Sequence, residues 1–139
     1  MTRVFVDTNI IIDLLAKREN YFQWTEILFD LGYRKEIVLS ASVLSFANAH
    51  YILKKSNSKA AVKSALVELK NVCTSIDLTD GILSQALHDS AFNEFEDSLQ
   101  YHTALGSHQE VIITRNLRDF KSSAIPVMTA EAFIKSLGY

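Results

Sequence analysis

The stretch Val4-Phe5-Val6-Asp7-Thr8-Asn9-Ile10-Ile11-Ile12 ends a short apolar run on a carboxylate and starts a second apolar stripe just beyond it. Val-Phe-Val is β-branched and aromatic, the composition of a buried strand. Asp is a poor strand former, so Asp7 is expected at the strand's end. Asn9 is expected to cap a helix carrying Ile10, Ile11, Leu14 and Leu15 at helical spacing. Two readings of Asp7 follow. In one, Asp7 and Asn9 only shape a strand-to-helix turn. In the other, Asp7 stands at the carboxyl end of a central parallel strand, where α/β proteins gather ligand-binding groups. Partners elsewhere in the chain decide between them.

Outward from this stretch, apolar spacing switches repeatedly between short runs and helical stripes. The runs predict strands at Val4–Val6, Ile37–Leu39, Val72–Ile76, Val111–Ile113 and Val127–Met128. Between them the stripes predict helices at Asn9–Ala16, Phe22–Leu31, Val43–Lys55, Lys59–Lys70, Ile82–Phe92, Glu96–Gly106 and Ala130–Leu137. Such alternation implies βαβ units, hence an α/β fold with a mainly parallel sheet covered by helices. Ser58 is expected to cap the Lys59 helix and Thr129 the last one, with Glu131 favouring its dipole. Pro126 is expected to open the final strand, where a missing amide donor is tolerated. No repeat or linker divides the chain, so residues 1–139 are read as one domain.

Composition narrows the classes of function. A hydrophobic fraction of 48% with a single Pro describes a chain that packs a core. Fourteen basic and sixteen acidic residues leave a net charge of -2, so any nucleic-acid contact must use a local patch. The lone Cys73 excludes an internal disulfide and, in a predicted strand, reads as a buried inert thiol suited to a reducing compartment. No apolar run approaches a membrane span, and Arg3 and Asp7 interrupt any signal-like segment. The expected location is the cytoplasm.

Partners for Asp7 come from two further segments. Glu96 and Asp97 open a helix in Phe95-Glu96-Asp97-Ser98-Leu99-Gln100-Tyr101, where acidic residues also serve ordinary helix-start chemistry. Asp119 lies beyond the strand of Val111-Ile112-Ile113-Thr114-Arg115-Asn116-Leu117-Arg118-Asp119-Phe120. If both strands are central, Asp7, Glu96, Asp97 and Asp119 reach one rim of the sheet. Clustered carboxylates raise one another's pKa unless a cation offsets them. Hard oxygen donors without Cys suit Mg²⁺ or Mn²⁺ rather than zinc.

These residues carry a family resemblance. The motifs V-F-V-D-T-N-I-I-I-D at Val4–Asp13, S-A-S-V-L-S-F-A-N at Ser40–Asn48, F-E-D-S-L-Q at Phe95–Gln100 and I-I-T-R-N-L-R-D-F at Ile112–Phe120 resemble, in order and spacing, the PIN-domain proteins of the VapC toxin type. The resemblance runs over nearly the whole chain. It implies an α/β/α sandwich of about five strands and a Mg²⁺- or Mn²⁺-dependent endoribonuclease. It also implies a homodimer, inhibited by an antitoxin whose peptide covers the site. Carried over, Asp7 is the first metal ligand, Asp97 the third acidic position with Glu96 beside it, and Asn116 and Asp119 share the fourth position's loop. Thr8 and Thr114 supply hydroxyls that orient carboxylates or the attacking water. The pattern departs at its second position, where the family has Glu on the helix after strand two and this chain has Asn48. Asn brings a carbonyl oxygen without charge, and here it either faces the metal or is hydrogen-bonded within the helix. The Ser-Phe-Ala-Asn form itself resembles a recurrent subgroup.

RNA needs cations, because phosphate contacts supply most nucleic-acid affinity. Arg115 and Arg118 flank the carboxylates and are expected to provide them. Lys55, Lys59 and Lys63 read as a solvated face, and Tyr21, Phe22 and Trp24 as core or dimer interface rather than base-stacking platforms. His50, His88, His102 and His108 lack metal-ligand spacing, with His102 the nearest to Asp97 along its helix. Two rivals to the nuclease remain. A PIN fold with a weakened site, favoured by Asn48, would bind RNA or protein without cutting. A phosphotransfer domain with Asp7 as nucleophile would need an Asp at position 9 and a Lys after a later strand, where Asn9 and Arg115 stand.

Overall fold

A computed structural model describes residues 1–139. Its centre is a five-stranded sheet in which every neighbouring pair runs parallel, in the order β3-β2-β1-β4-β5. The strands are β1 Thr2–Val6, β2 Ile37–Ser42, β3 Thr74–Ile76, β4 Val111–Ile113 and β5 Val127–Met128. Seven helices connect them: α1 Thr8–Leu15, α2 Phe22–Tyr33, α3 Val43–Leu53, α4 Lys59–Val72, α5 Asp80–His88, α6 Phe95–Gly106 and α7 Ala130–Ser136, with a 3-10 turn at Leu117–Phe120. None is long and apolar enough to cross a membrane.

The apolar run of β1 is explained by its central place. Val4, Phe5 and Val6 are all fully buried, because both faces of a central parallel strand are covered. Side chains alternate along the strand. Val4 and Val6 therefore join the larger core with Ile10, Leu28 and Ile113, while Phe5 joins Phe92, Tyr101, Ile112 and Phe120 on the opposite face. This is the α/β/α sandwich expected from the sequence.

Topology then selects the site. The chain starts in the middle of the sheet, adds β2 and β3 on one side, and returns to add β4 and β5 on the other. The order reverses between β1 and β4, which pair from Val4–Val111 to Val6–Ile113. In open parallel sheets such a reversal leaves a crevice beyond the carboxyl ends of the two strands. Asp7 follows β1 and Thr114 follows β4, so both line it.

Several local expectations are corrected. Asp7, not Asn9, caps α1: it is extended (φ -75, ψ 163), and its side chain accepts from the Thr8 amide. Asn9 lies inside the first turn, leaving its amide free to face the sheet. Helix α4 runs on to Val72, and the Cys73 amide still bonds the Leu69 carbonyl at 2.9 Å, so β3 begins only at Thr74. Cys73 is buried as expected, and burial pushes its thiol up to about 12. Helix α5 stops at His88 rather than Phe92, because the Asp89 carboxylate turns to accept from the Ala91 amide and from His102. Phe92 joins the smaller core from the loop. Ser58 and Thr129 cap their helices as expected. Pro126 immediately precedes β5 and offers its carbonyl to the Ile112 amide at 2.9 Å.

Candidate active site: an acidic rim at the sheet reversal

Asp7 is only 6% exposed, and four donors fix its carboxylate. Oδ1 accepts from the Thr8 amide at 2.8 Å and from Gln100 Nε2 at 3.2 Å. Oδ2 accepts from Thr114 Oγ1 at 2.8 Å and from Asn9 Nδ2 at 3.4 Å. Burial raises the Asp7 pKa above the usual carboxylate range. Bonds from Thr114, Thr8 and Gln100 oppose that rise, and the charge of Asp119 adds to it. The donors and the burial thus pull in opposite directions on a group that is held in one orientation.

Asn9 and Thr114 join the ends of β1 and β4. Asn9 Nδ2 lies 3.3 Å from Thr114 Oγ1, and Asn9 Oδ1 accepts from the Arg115 amide at 3.3 Å. Thr114 Oγ1 also accepts from the Asn116 amide at 3.0 Å, which starts the loop carrying Asp119. Asn116 and Asp119 are exposed, and the Asp119 amide bonds the Asn116 carbonyl at 3.0 Å.

Helix α6 supplies the other two carboxylates from its first turn. Asp97 is half-buried, and its pKa is pushed up to about 7 by burial first and then by the charges of Asp7, Asp119, Glu96 and Glu94. Glu96 is raised by burial and by Asp7, and is pulled back by Asn48, whose Nδ2 donates to Glu96 Oε1 at 2.9 Å. Asn48, on α3, is therefore hydrogen-bonded to the site through Glu96. Asp97 thus feels the charges of Asp7, Glu96 and Asp119, and Asp7 that of Asp119. As the side chains lie, no three acidic, His or Cys groups form a ready ligand set. The donors are nonetheless of the right kind for a hard cation: Asp7 is held by four donors, Asp97 is half-buried, and Glu96 and Asp119 are exposed, Glu96 with one oxygen bonded by Asn48.

Arg115 is already engaged within the fold. Its Nε donates to Asp13 Oδ2 at 2.7 Å and its terminal nitrogen to Asp13 Oδ1 at 3.1 Å, a bidentate pair. Asp13 is fully buried, with Arg18 a more distant partner at 3.6 Å. The Arg115 guanidinium also lies 4.3 Å from the ring centre of Tyr21. Arg115 thus clamps α1 to the β4 loop, and drawing it onto RNA would uncover a buried charge. Arg118 remains on the exposed rim, without a salt bridge. Trp24 packs, partly buried, on the larger core beneath Lys135, whereas Tyr21 is exposed beside Arg115. His102 is turned away to Asp89 at 2.8 Å.

Three residues of the site were not singled out from the sequence. Gln100 and Ser45 sit beneath Asp7, and Asp13 holds Arg115. Gln100 follows Asp97 by three residues on α6, a spacing that puts both on one helix face. That spacing was the available signal. Ser45 and Asp13 carried none beyond their place in the motifs.

A parallel sheet with carboxylates gathered at its reversal defines a class of α/β proteins built to bind ligands at that rim. The chain belongs to the PIN-domain family, whose model matches residues 3–118. Comparison with curated proteins gives no match. Among solved structures, VapBC2 of Rickettsia felis bound to a promoter DNA fragment is similar at a TM-score of 0.70 and 18% identity, covering 91% of this chain and 97% of that one. A toxin–antitoxin complex from Klebsiella pneumoniae gives 0.67 and 22%, with the same coverage of 91% and 97%. The sarcin-ricin-loop-cleaving toxin VapC20 of Mycobacterium tuberculosis gives 0.62 and 17%, over 78% of this chain and 86% of that one. The shared feature is the fold, that of VapC-type PIN toxins.

Proposed function

We propose that this PIN domain is a Mg²⁺- or Mn²⁺-dependent endoribonuclease, the toxin of a toxin–antitoxin pair. The observation that carries the reading is the convergence of Asp7, Glu96, Asp97 and Asp119 at the reversal of the sheet, where burial first and like charge second push Asp97 up to about 7. A divalent cation would offset the like charge in such a cluster. Asp7, Asp97 and Asp119 would hold it. When bound, such an ion lowers the pKa of a water and offsets charge developing on a phosphodiester.

The remaining chemistry belongs to the chain. Thr114, Thr8, Asn9 and Gln100 keep both oxygens of Asp7 aimed before substrate arrives. Asn48 occupies Glu96 Oε1, which leaves Oε2 to accept a proton from the attacking water. Arg118 supplies a phosphate contact on the rim. The toxin role is supported by the kind of assembly the similar structures are, and one of them cleaves the sarcin-ricin loop. The partners implied are RNA, an antitoxin covering the acidic rim, and a second copy of the chain.

Asn48 favours one rival, a PIN domain that binds RNA or protein without cutting. Incubating the purified protein with a set of small RNAs in Mg²⁺, Mn²⁺ or EDTA separates them. Metal-dependent cleavage supports the nuclease, and tight RNA retention without cleavage in any metal supports the binding module.

A further inference from the structure

Below the acidic rim lies a polar cluster that carries no charge of its own. Gln100 is 1% exposed, in the middle of α6, and Ser45 is fully buried on α3. Gln100 Nε2 lies 2.6 Å from Ser45 Oγ, 3.2 Å from Asp7 Oδ1 and 3.3 Å from Thr8 Oγ1. Thr8 Oγ1 in turn donates to Ser45 Oγ at 2.9 Å. An amide nitrogen has two protons. One goes to Ser45 in the shortest bond, and the other is shared between Asp7 and Thr8.

The other end of the amide explains why this is more than packing. Gln100 Oε1 is buried without a hydrogen-bond partner. An unmet buried carbonyl costs stability, which a side chain such as Met or Leu would avoid at this position. The amide accepts that cost for the bonds its nitrogen makes to Asp7 and Ser45, and these set its orientation: a carboxylate can only accept, so the nitrogen must face Asp7 and the oxygen must face inward.

We infer that Gln100, locked by Ser45, is a positioning residue that aims the Asp7 carboxylate at a divalent cation. It touches neither RNA nor the reacting atoms. It acts through Asp7 Oδ1, and it lies one turn beyond Asp97, so α6 carries both a candidate ligand and the donor that orients another. Groups behind metal ligands commonly set both affinity and turnover. This inference rests on the nuclease reading above.

The test is a double-mutant cycle on the full chain, reading Mn²⁺ affinity by direct titration alongside RNA cleavage. Gln100→Met keeps the length of the side chain and removes the donors. It is expected to weaken Mn²⁺ binding and lower kcat by about 10- to 100-fold, with KM for RNA unchanged. In an Asp7→Asn background the same change should cost no further Mn²⁺ affinity, because the carboxylate it served is gone. Ser45→Ala, which frees the amide while leaving it in place, should shift both quantities in the same direction by less. Equal losses in the two backgrounds would overturn the inference and mark Gln100 as general packing. Unchanged affinity and kcat in Gln100→Met would overturn it while leaving the nuclease intact. A wild-type protein that neither binds Mn²⁺ nor cuts RNA would overturn the nuclease reading and this inference with it.

Discussion

Asn48 Nδ2 donates to Glu96 Oε1 at 2.9 Å, joining the second turn of α3 to the first turn of α6 across the acidic rim. The residue that the sequence reading sets at the family's second acidic position is thus engaged with a neighbouring carboxylate. Its neutral amide also holds down the pKa of Glu96 against burial and the charge of Asp7.

Asn48→Glu replaces that bond with repulsion between two facing carboxylates. In EDTA the melting temperature should fall by about 4 °C, the effect of roughly 1 kcal/mol. In Mn²⁺ the added anion should turn to the cation, and the melting temperature should exceed wild type. Differential scanning fluorimetry in both conditions checks the opposite signs. Identical shifts in the two would place residue 48 outside the metal's reach.

Arg115 and Arg118 should separate cleanly. Arg115→Ala leaves the fully buried Asp13 with only Arg18, 3.6 Å away, and should cost about 3 kcal/mol of stability in urea unfolding. Arg118→Ala should leave stability unchanged and weaken RNA binding across sequences, lowering the salt slope by about 1. A stable Arg115→Ala protein would refute the clamp.

The two arginines mark where the sequence stopped being legible. Both follow a strand near acidic residues, so charge alone assigned both to phosphate. The partner that removes Arg115 lies 102 positions away on α1, and only the fold brings it close. The strands were readable because β1 and β4 are buried on both faces and must be apolar throughout. The rim was proposed from the set rather than from any one member, because a carboxylate at a helix start is ordinary dipole chemistry and only the two strand ends link it to Asp7 and Asp119. The cap of α1 was misplaced by two residues because Asp and Asn cap equally well, and the backbone at Asp7 decides it. Phe92 extended a helical stripe that Asp89 interrupts through its own hydrogen bonds. Gln100 was invisible as a site residue, because an amide has no charge to announce it.

The metal-free protein should lose stability as pH rises from about 4 to about 7. Asp97 titrates near 7 when folded, against the usual 3.8, and Asp7 is shifted in the same direction. In that window the folded protein holds more protons than the unfolded chain, so deprotonation favours unfolding. Below the window both states are protonated, and the contribution is fully present. Urea midpoints in EDTA across this range test the slope. Mn²⁺ should flatten it, and at about 100 times the dissociation constant should add roughly 2.7 kcal/mol at neutral pH.

The most direct measurement is the rate at which wild-type and Asp7→Asn proteins cleave a panel of small RNAs in Mn²⁺, with circular dichroism confirming that both are folded. Asp7 is the one carboxylate already fixed by four donors, and its loss removes the anchor of the site. Cleavage by wild type that stops in EDTA and is absent in a folded Asp7→Asn is the expected result. A folded Asp7→Asn protein cutting RNA at the wild-type rate, or wild-type cleavage that persists in EDTA, would contradict a metal-dependent active site at this rim.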